Sequence, residues 1–578
     1  MLVSAFVALT LTPMLCSRML RAKRVGDHVQ HGRFYEMTEP FFVRMNAWYD
    51  ATLSASLRNK KVILSVALLF SIAGPFLYTR LQRELTPTED RGVLIAQFIP
   101  PVGSTPEYTA AYSSEMEQMI LKIPEIDRTF HRTGGEGRAF IFAMLKPWEE
   151  RTRKTQDLIA ELRGKFREVT GGQAFPAPVR PFGQRGGSSG IAMVLQGNDF
   201  NQLQKLGGRV LDEMRQSGKF FQPRLDPSPS KPQLEVRIDR ARTADLKVSV
   251  SDIAATLESL LGGRRVTQFQ RGNQQYDVLV QVEDAKRATP SDLSRLYVKS
   301  QDGHLVQLSN LVTYREGVVP ESYPHFNRLR AVTISGQMAG GLTLGDGVEF
   351  LQGKMGGILP IGYSYSWDGE TRDFVESARD TYLLFGLALV FTFLILAAQF
   401  ESWLHPVTIF TGVALAISGG LVTLYCTRFW GVAMTDNLYS RFGLIMLIGL
   451  VAKNGILIVE FANQLQLQGK SAFDAAYAAA TLRFRPILMT AICTVLGAVP
   501  IAFATGAGAE TRNPLGIVIV GGLSIATFMT LYVVPIVYVI VDKLCLKFTG
   551  HSSAHGLQKA RDIERETIAA DGEVAPTK

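Results

Sequence analysis

Residues 440–464 read SRFGLIMLIGLVAKNGILIVEFANQ, an apolar stretch long enough to cross a bilayer as a helix, which needs roughly 20 residues. Lys453 and Asn454 lie near its middle, and Glu460 follows seven positions after the lysine on the same helix face. A charge at bilayer depth costs at least ~2.5–3.5 kcal/mol and usually faces a partner or a wet cavity. Because Lys453 has apolar neighbours on both sides, we interpret it as a functional charge rather than a lysine that reaches the interface. Glu460 lies nearer the helix end and is interpreted as an interfacial carboxylate.

The composition is that of a membrane protein with a soluble insert. Of the 578 residues 47% are hydrophobic, and the long apolar runs are concentrated near the N-terminus and after residue 380. The formal charge of +9 does not indicate nucleic acid as a partner, because no basic stripe with interleaved aromatic residues is present and much of the Lys and Arg flanks the apolar runs. The cysteines lack CxxC spacing and predict neither a disulfide framework nor a zinc site: Cys16, Cys426, Cys493 and Cys545.

The N-terminal part of the chain is predicted to hold two membrane helices and a link. Residues 1–20 are apolar and are followed by basic residues, the reverse of a signal peptide, and they are short for a full span. We therefore expect a truncated transmembrane helix and a chain that begins inside a longer protein. Residues 21–61 are predicted to form a cytoplasmic-side link with an interfacial amphipathic helix, and residues 62–80 a complete span that starts in the cytoplasm.

The roughly 300 residues that follow contain no apolar run of spanning length and are predicted to form an external α+β domain. Two stretches show the strand–helix alternation of ferredoxin-like βαβ units. The first unit covers residues 84–185, and the second covers residues 186–230 and 321–370, with residues 231–320 inserted as a further subdomain. Elements predicted in the first unit are Gly92–Pro100, Thr105–Leu121, Ala139–Leu145 and Thr155–Val169. Elements predicted in the second are Ile191–Gly197, Asn201–Gln216, Ala331–Met338, Leu344–Met355 and Tyr363–Trp367.

Two phenylalanines of the first unit, Phe130 and Phe142, lie around a polar stretch from His131 to Gly135 that is predicted to be a turn. Aromatic residues in strands are ordinarily core, and His131 has no second histidine or cysteine at metal spacing. The sequence of the insert also lacks a nucleophile elbow, a phosphate-binding loop and a dinucleotide fingerprint. The sequence therefore predicts no enzyme, no metal site and no cofactor.

Residues 381–543 are predicted to form five transmembrane helices joined by short links. Basic residues at the link ends assign one side to the cytoplasm, and Trp403, Trp430 and Tyr439 lie where interfacial aromatic residues are expected. Residues 544–578 are polar and charged and are predicted to form a disordered cytoplasmic tail. The predicted spans are Tyr382–Phe400, Val407–Cys426, Ser440–Gln464, Pro486–Phe503 and Leu515–Val541.

The fourth of these spans adds further charge to the membrane region. Arg483 and Thr490 are seven positions apart and share a helix face, whereas Arg485 does not share it. Pro486 suits a first helical turn, so the helix is predicted to begin there, with both arginines near the cytoplasmic interface. Arg485 is interpreted as an interfacial anchor, while an anchor and a functional charge remain equally open for Arg483.

Lys453 lacks an acidic partner at its own depth in this sequence. Glu460 lies about 10 Å from it along the helix axis, which is too far for direct contact. A buried lysine without a partner is neutralised or not tolerated, so we expect a carboxylate from another helix bundle. A carboxylate that exchanges its proton for a lysine contact is a proton relay, the usual role of such residues in pumps.

Six motifs resemble those of the C-terminal half of resistance–nodulation–division (RND) drug efflux pumps, hydrophobe/amphiphile efflux branch. They are LTPMLC, ELTPTEDRG, AAQFESW, GLVAKNGILIVEFA, LRFRPILMT and ATGAGAETRNPLG. The resemblance implies an α-helical polytopic membrane protein of the bacterial inner membrane, with a large α+β periplasmic insert, that assembles as a homotrimer. It implies proton-driven efflux of amphiphilic drugs and xenobiotics within a tripartite pump, with a periplasmic adaptor protein and an outer-membrane channel as partners. A further implied partner is the N-terminal half of the same transporter, without which this half is expected to be inactive.

The resemblance also implies roles for particular residues. A proton relay driven by the proton motive force, with no cofactor, is carried over to four of them: Lys453, Asn454, Arg483 and Thr490. Their acidic counterparts belong to the fourth helix of the missing half. Residues 231–320 resemble the docking subdomain, and the flanking units resemble porter subdomains. Phe130 and Phe142 resemble positions of an aromatic drug pocket, in a loop that is shorter than in the drug exporters, which leaves the substrate range open.

Two other functions remain open from the sequence. The chain is alternatively a non-transporting membrane scaffold or vestigial fragment that docks periplasmic adaptor proteins, in which case Lys453→Ala in a completed pump leaves export unchanged. A protein-translocation accessory of the same superfamily is disfavoured by the size of the porter units and by the docking-like insertion.

Overall fold

The structure is a computed structural model of the chain. It describes residues 2–19, 33–101, 103–134, 138–179, 190–227, 229–320, 322–430 and 434–549. The predicted disordered tail from position 550 onward, and the part of the predicted link up to residue 32, lie outside the described residues.

Three helices open the described chain, namely α1 (Leu2–Met19), α2 (Arg33–Arg58) and α3 (Lys60–Tyr78). The described side chains of α1 are exposed, as expected for an apolar helix with no neighbour. The helix α2, which the sequence predicted as interfacial, lies against the membrane bundle. Its Tyr49 is fully buried, stacks on Phe484 with ring centroids 4.3 Å apart, and donates a hydrogen bond to the carbonyl oxygen of Leu531 at 2.7 Å. Part of the apolar face of α2 is therefore covered by protein.

The first external unit is a four-stranded antiparallel sheet covered on one face by two helices. Its elements are β1 (Val93–Ile99), α4 (Pro106–Leu121), β2 (Ile126–Thr133), β3 (Ala139–Leu145), α5 (Thr155–Lys165) and β4 (Gln173–Pro178). The strand order β2-β3-β1-β4 is that of a ferredoxin-like split βαβ unit. Alternate residues of β1 and β3 are buried under the helices, which follows from the two-residue period of a strand.

The two outer strands of this sheet were not among the predicted elements. The stretch from His131 to Thr133, predicted to be a turn, is the end of β2, so that prediction was wrong. An edge strand is exposed on most of its length and therefore lacks the apolar alternation that reveals a strand. The opposite edge strand, β4, contains Pro176 and Pro178, which are tolerated at an edge because fewer backbone donors are needed there.

A buried ion pair holds the start of this unit. Asp90 is fully buried and lies 3.1 Å from the Arg151 guanidinium, which stacks over the ring of Trp148 at 4.3 Å. Asp90 also accepts hydrogen bonds from the backbone and hydroxyl of Thr155 at 2.8 and 2.6 Å. Burial of Asp90 opposes its ionisation, but the hydrogen bonds from Thr155 and the backbone, with the nearby guanidinium, lower its pKa overall.

The second external unit is interrupted by the inserted subdomain. Before the insertion lie β5 (Ile191–Gly197), α6 (Phe200–Ser217) and β6 (Phe220–Asp226). The insertion contains β7 (Pro229–Ile238), α7 (Arg240–Asp245), α8 (Val250–Leu257), β8 (Arg264–Arg271), β9 (Gln274–Val280), β10 (Tyr297–Lys299), β11 (Leu305–Gln307) and β12 (Val312–Pro320). After it lie β13 (His325–Phe326), β14 (Leu329–Met338), α9 (Leu344–Ile358) and β15 (Ser364–Trp367).

The strands of the second unit form one sheet, in which β14 pairs with β5, β6 and β13, and β5 pairs with β15, all antiparallel. The strand β6 was not predicted, because it contains Pro223 and ends in charged residues. The inserted subdomain is entered through β7 and left through β12, which pair as a two-stranded ribbon. The remaining strands of the insertion form two separate hairpins, β8 with β9 and β10 with β11.

The second unit continues directly into the membrane. The helix α10 (Gly369–Phe400) has 32 residues and begins well before Tyr382, where the span was predicted to start. Near its outer end the Thr371 hydroxyl accepts a hydrogen bond from the backbone of Ala192 in β5 at 2.9 Å, and Phe374 is buried in the core of the sheet. The first turns of α10 carry many charges, so their polarity hid the helix from a search for apolar runs.

Four more helices complete the membrane bundle, α11 (Leu404–Cys426), α12 (Leu438–Leu467), α13 (Ala472–Ala502) and α14 (Ala509–Thr549). Among the described residues, six helices are long and apolar enough to cross a membrane, namely α3 and α10 to α14. The predicted fold class, a polytopic helical membrane protein with a large α+β insert, is confirmed. The helix α14 lies against α11, α12 and α13. Close approach depends on glycine: a Cβ built on Gly516 would lie 2.3 Å from the backbone nitrogen of Ala502, and one on Gly521 would lie 2.1 Å from Thr423.

The helix α13 begins at Ala472, well before the predicted start at Pro486, so that prediction was wrong. The Ser471 hydroxyl accepts a hydrogen bond from the backbone of Asp474 at 3.2 Å and caps the helix, whereas the proline lies in its interior. Arg485 pairs with Glu39 of α2 at 3.0 Å and lies over the ring of Phe42. This pair joins α13 to α2 and agrees with the interpretation of Arg485 as an anchor.

Candidate functional site

Lys453 lies near the centre of α12, which runs from Leu438 to Leu467, with about 21–23 Å of helix on either side. Its side chain is exposed at the surface of the bundle. Within the described part of the chain it makes no hydrogen bond and no ion pair. A lysine ammonium therefore stands at mid-membrane depth on an outer face of this bundle, where lipid or another protein must meet it.

Arg483 of α13 is half-buried, and its guanidinium lies over the ring of Phe461 of α12 at 4.4 Å. Its buried Nε has no hydrogen-bond partner among the described residues. The aromatic face offsets part of the desolvation of the guanidinium, while the described residues leave Nε without an acceptor.

Thr490 lies on the same helix as Arg483 and is half-buried, with its hydroxyl donating to the carbonyl oxygen of Ile487 at 3.1 Å. The helices α12 and α13 run in opposite directions, and Arg483 is level with Phe461. Seven residues, or about 10 Å, separate Arg483 from Thr490 on α13, and the same distance back along α12 leads from Phe461 to residue 454. Thr490 is therefore level with residue 454. Lys453 and Thr490 therefore occupy one layer of the membrane, and Arg483 occupies the next layer towards the predicted cytoplasmic side.

Asn454 faces a different direction from its neighbour in sequence. It is 2% exposed, and its amide donates to the Thr527 hydroxyl of α14 at 3.2 Å. The structure thus separates Asn454, inside the bundle, from Lys453, on its surface, because successive residues of a helix are about 100° apart. Glu460 is half-buried and accepts a hydrogen bond from the Gln464 amide at 2.9 Å.

The two phenylalanines singled out from the sequence lie side by side. Phe130 of β2 pairs in register with Phe142 of β3, with ring centroids 6.1 Å apart. Their face of the sheet is the one that α4 and α5 do not cover, and Phe130 is 58% exposed. Phe140 of β3 and Phe175 of β4 lie on the same face, because both pair in register with Gln97 of β1. Exposed aromatic rings on an open sheet face are suited to binding an apolar ligand.

His131 lies on the opposite face of the same strand. One ring nitrogen is 3.0 Å from the Glu117 carboxylate, and the other is 2.9 Å from the Ser113 hydroxyl, both on α4. His131 is therefore a strand residue that ties β2 to α4. No cluster of three or more possible metal ligands is found among the described residues.

A half-buried carboxyl between the membrane bundle and the external units was not singled out from the sequence. Glu84 follows α3, accepts a hydrogen bond from the Thr435 hydroxyl, and donates its backbone N–H to the carbonyl oxygen of Asp436 at 3.1 Å. Burial raises the pKa of Glu84 to about 7; the Thr435 bond opposes this rise, and the nearby Glu370 carboxylate adds to it. An acidic residue just after a span was the available signal, but its burial depends on residues 351 positions away in sequence.

Comparison with known proteins gives one consistent picture. Residues 1–542 match the family model described as the AcrB/AcrD/AcrF family. The chain is 34% identical over 543 residues to an uncharacterized transporter of Haemophilus influenzae, covering 93% of this chain and 52% of the relative. It is 32% identical over 555 residues to the multidrug/solvent efflux pump membrane transporter MepB of Pseudomonas putida, covering 94% and 52% respectively. The same figures describe a toluene efflux pump membrane transporter, TtgB, of that species. The chain spans about half the length of the curated relatives it matches.

Proposed function

We propose, since the chain belongs to the AcrB/AcrD/AcrF family of RND efflux transporters, that it is the C-terminal half of a proton-driven pump for amphiphilic compounds. The chain is a multi-pass inner-membrane protein, and its family is one of transporters, not of enzymes. In this proposal the present half does not transport alone and acts with an N-terminal half of the same transporter. The assembled transporter is a homotrimer that works with a periplasmic adaptor protein and an outer-membrane channel.

The observation that carries the proposal is the exposed Lys453 near the middle of α12, which has no ion-pair partner among the described residues. Leaving an ammonium in hydrocarbon is costly, and a carboxylate at the same depth on a second helix bundle removes that cost. When that carboxylate takes up a proton it no longer attracts the lysine, and the contact between the two bundles changes. Proton binding then alters the packing of helices, which is the physical step that a proton-driven pump needs.

Arg483 and Thr490 complete the proposed relay. Arg483 stands one layer from Lys453 towards the predicted cytoplasmic side and keeps an Nε that is unpartnered among the described residues, so it offers a second cation to an incoming carboxylate. The Thr490 hydroxyl, level with Lys453, retains acceptor capacity beside its bond to Ile487. Asn454 takes an indirect part by fixing α12 against α14 through Thr527.

The substrate class is proposed from the aromatic face of the first external unit. Phe130 and Phe142 present apolar rings that bind amphiphilic molecules by contact area and not by a fixed pattern of hydrogen bonds. Relatives whose names specify a multidrug/solvent pump and a toluene pump are compatible with such a surface. We propose that this face forms part of the path of the exported compound.

The test joins the chain to an N-terminal half from a full-length relative such as MepB, in a strain without other efflux pumps. Dye export is expected from the pair and not from the chain alone. Lys453→Met is expected to reduce export by about tenfold or more, because the anion of the other half loses its partner. Lys470→Met, at the exposed turn after α12, is the matched control and leaves export unchanged.

Export by the chain alone, or full export by the Lys453→Met pair, contradicts the proposal. The second of these outcomes favours the scaffold function, in which the membrane charge has no part in transport. Phe130→Ala with Phe142→Ala is expected to change the range of exported dyes while the uptake of protons in the assembled pump persists, which separates the substrate proposal from the relay proposal.

A further inference from the structure

A cluster of buried polar side chains lies at the end of the bundle that is predicted to face the cytoplasm. His405, in the first turn of α11, is 0% exposed, and Asn463 of α12 and Tyr538 of α14 are each 1% exposed. The span predicted from the sequence begins at Val407, whereas His405 already belongs to α11 and lies inside the bundle. Asn463 lies about 15 Å along α12 from Lys453, so the cluster is separate from the proposed relay.

The three side chains form a continuous set of contacts. The Asn463 amide nitrogen lies 3.2 Å from His405 Nε2, and the Tyr538 hydroxyl lies 2.6 Å from Asn463 Oδ1. The same hydroxyl lies 2.8 Å from the Oε1 of Gln466, which stands at the partly exposed edge of the cluster. The rings of His405 and Tyr538 stack with centroids 6.0 Å apart and planes 10° from parallel.

A count of donors and acceptors allows the cluster two arrangements of its hydrogen bonds. With the Asn463 nitrogen donating to Nε2, the imidazole of His405 is neutral and carries its hydrogen on Nδ1. The Tyr538 hydroxyl then has one hydrogen for two amide oxygens, and the Gln466 amide must turn its nitrogen inwards to balance the set. One arrangement of the hydrogen bonds between His405 Nε2, Asn463, Tyr538 and Gln466 is thus satisfied with His405 neutral.

A proton added at Nε2 of His405 completes a second set. The Asn463 amide flips, exchanging the positions of its oxygen and nitrogen, so that Oδ1 accepts from Nε2 and Nδ2 donates to the Tyr538 oxygen. The hydroxyl hydrogen of Tyr538 then points to Oε1 of Gln466, in the orientation that the structure shows for that amide. The rearrangement moves no backbone and breaks no bond other than hydrogen bonds, and it links the buried imidazole to the partly exposed end of α12.

A charged imidazole in this position requires a nearby negative charge. Asp542 lies one turn beyond Tyr538 on the same face of α14 and is 1% exposed. From α10 the neighbour of His405 is the apolar ring of Phe400, with centroids 5.7 Å apart. Charged groups elsewhere at this end of the described bundle are partly or fully exposed, among them Asp50, Arg58, Lys60, Lys61, Glu401, Glu460, Lys470, Asp474, Lys543 and Lys547.

We propose that His405, with Asn463, Tyr538 and Asp542, is a proton-binding site of this half, separate from the proposed relay and open to the aqueous phase through Gln466. The ligand of the site is a single proton, and its binding reverses the direction of the hydrogen bonds between α11, α12 and α14. The site is built from this chain alone and does not depend on the missing carboxylate of the Lys453 relay.

The test is nitrogen NMR of the full chain in lipid nanodiscs with its histidines labelled with ¹⁵N. The His405 signals are assigned by loss in His405→Gln or, where that variant does not fold, by replacing the other seven of the eight histidines with glutamine. The imidazole is expected to carry hydrogen on Nδ1 at pH 9 and on both nitrogens at pH 4, in one single-proton transition. Identical nitrogen patterns at pH 4 and pH 9 overturn the proposal.

A second measurement tests the counter-charge. At the pH where half of His405 is doubly protonated in the wild type, Asp542→Asn is expected to reduce that fraction to about one-tenth, the effect of one pH unit. Lys543→Gln is the control, because Lys543 follows Asp542 in sequence but is exposed; this variant is expected to leave the fraction near one half. An unchanged fraction in Asp542→Asn refutes the role of Asp542. No transport is measured, so failure of this proposal and failure of the pump proposal are distinguishable.

Discussion

Glu84 gives the sharpest quantitative prediction, because a single carboxyl lies at the joint between the membrane bundle and the external units. Its backbone N–H bonds to Asp436, and the next residue, Leu85, accepts from the backbone of Leu438 at 3.1 Å. The side chain accepts from Thr435 and faces Glu370. The perturbation is Glu84→Gln, which keeps the shape and the acceptor for Thr435 but removes the charge.

The magnitude follows from the pKa of Glu84, about 7 in the folded chain against an ordinary value of 4.5. At about 1.36 kcal/mol per pH unit the difference is worth at most about 3 kcal/mol, and the partial exposure of the side chain lowers it further. Since the native state holds the proton more tightly than the opened joint, the joint loses stability as the pH rises from 4.5 to 7. Below 4.5 the carboxyl is protonated in both states, so Glu84→Gln and the wild type are expected to be equally stable there.

The assay is amide hydrogen exchange of Glu84 and Leu438, expressed as protection factors so that the intrinsic pH dependence of exchange is removed. Wild-type protection is expected to fall by up to about a hundredfold between pH 4.5 and pH 8, a fall that a difference of about 3 kcal/mol permits. Glu84→Gln is expected to show no such fall, while Glu115→Gln, exposed on α4, behaves like the wild type. Constant wild-type protection over this range, or weaker protection in Glu84→Gln than in the wild type at pH 8, refutes the reasoning.

Two further predictions concern packing and a buried charge. Gly516→Ala is expected to destabilise the bundle by about 1–3 kcal/mol, because the new methyl group meets the backbone of α13. Gly449→Ala is the control and is expected to leave the stability unchanged, because the space around Gly449 is open. Thermal unfolding in detergent compares the two variants. Arg151→Ala is expected to lower the stability of the first external unit by about 3–5 kcal/mol, because Asp90 is left buried without its partner. The loss of stability is measured as loss of amide protection in β1 and α5. Arg128→Ala, on the exposed edge strand, is the control. Unchanged protection in Arg151→Ala contradicts the prediction.

Much of the architecture follows from the sequence because burial in lipid and burial in a core leave different patterns. Long runs of apolar residues identify the spans, and short apolar stretches identify the central strands β3 and β5, whose observed bounds agree with the predicted ones. The edge strands β2 and β4 were not predicted, because polar residues in β2 and prolines in β4 interrupt any apolar stretch. The start of α13 was predicted at Pro486, because proline is typical of a first helical turn, whereas the helix in fact begins after the cap at Ser471.

The sequence by itself determined that a lysine, Lys453, stands in the middle of a membrane helix, since depth depends only on counting apolar neighbours. Only the tertiary structure decided which neighbouring side chains face outwards, so that Lys453 is exposed while Asn454 is buried against α14. It alone brought together His405, Asn463 and Tyr538, which are separated by 58 and then 75 positions along the chain. The physical reason is that periodicity specifies the faces of single helices, whereas a cluster of hydrogen bonds depends on how several helices pack together.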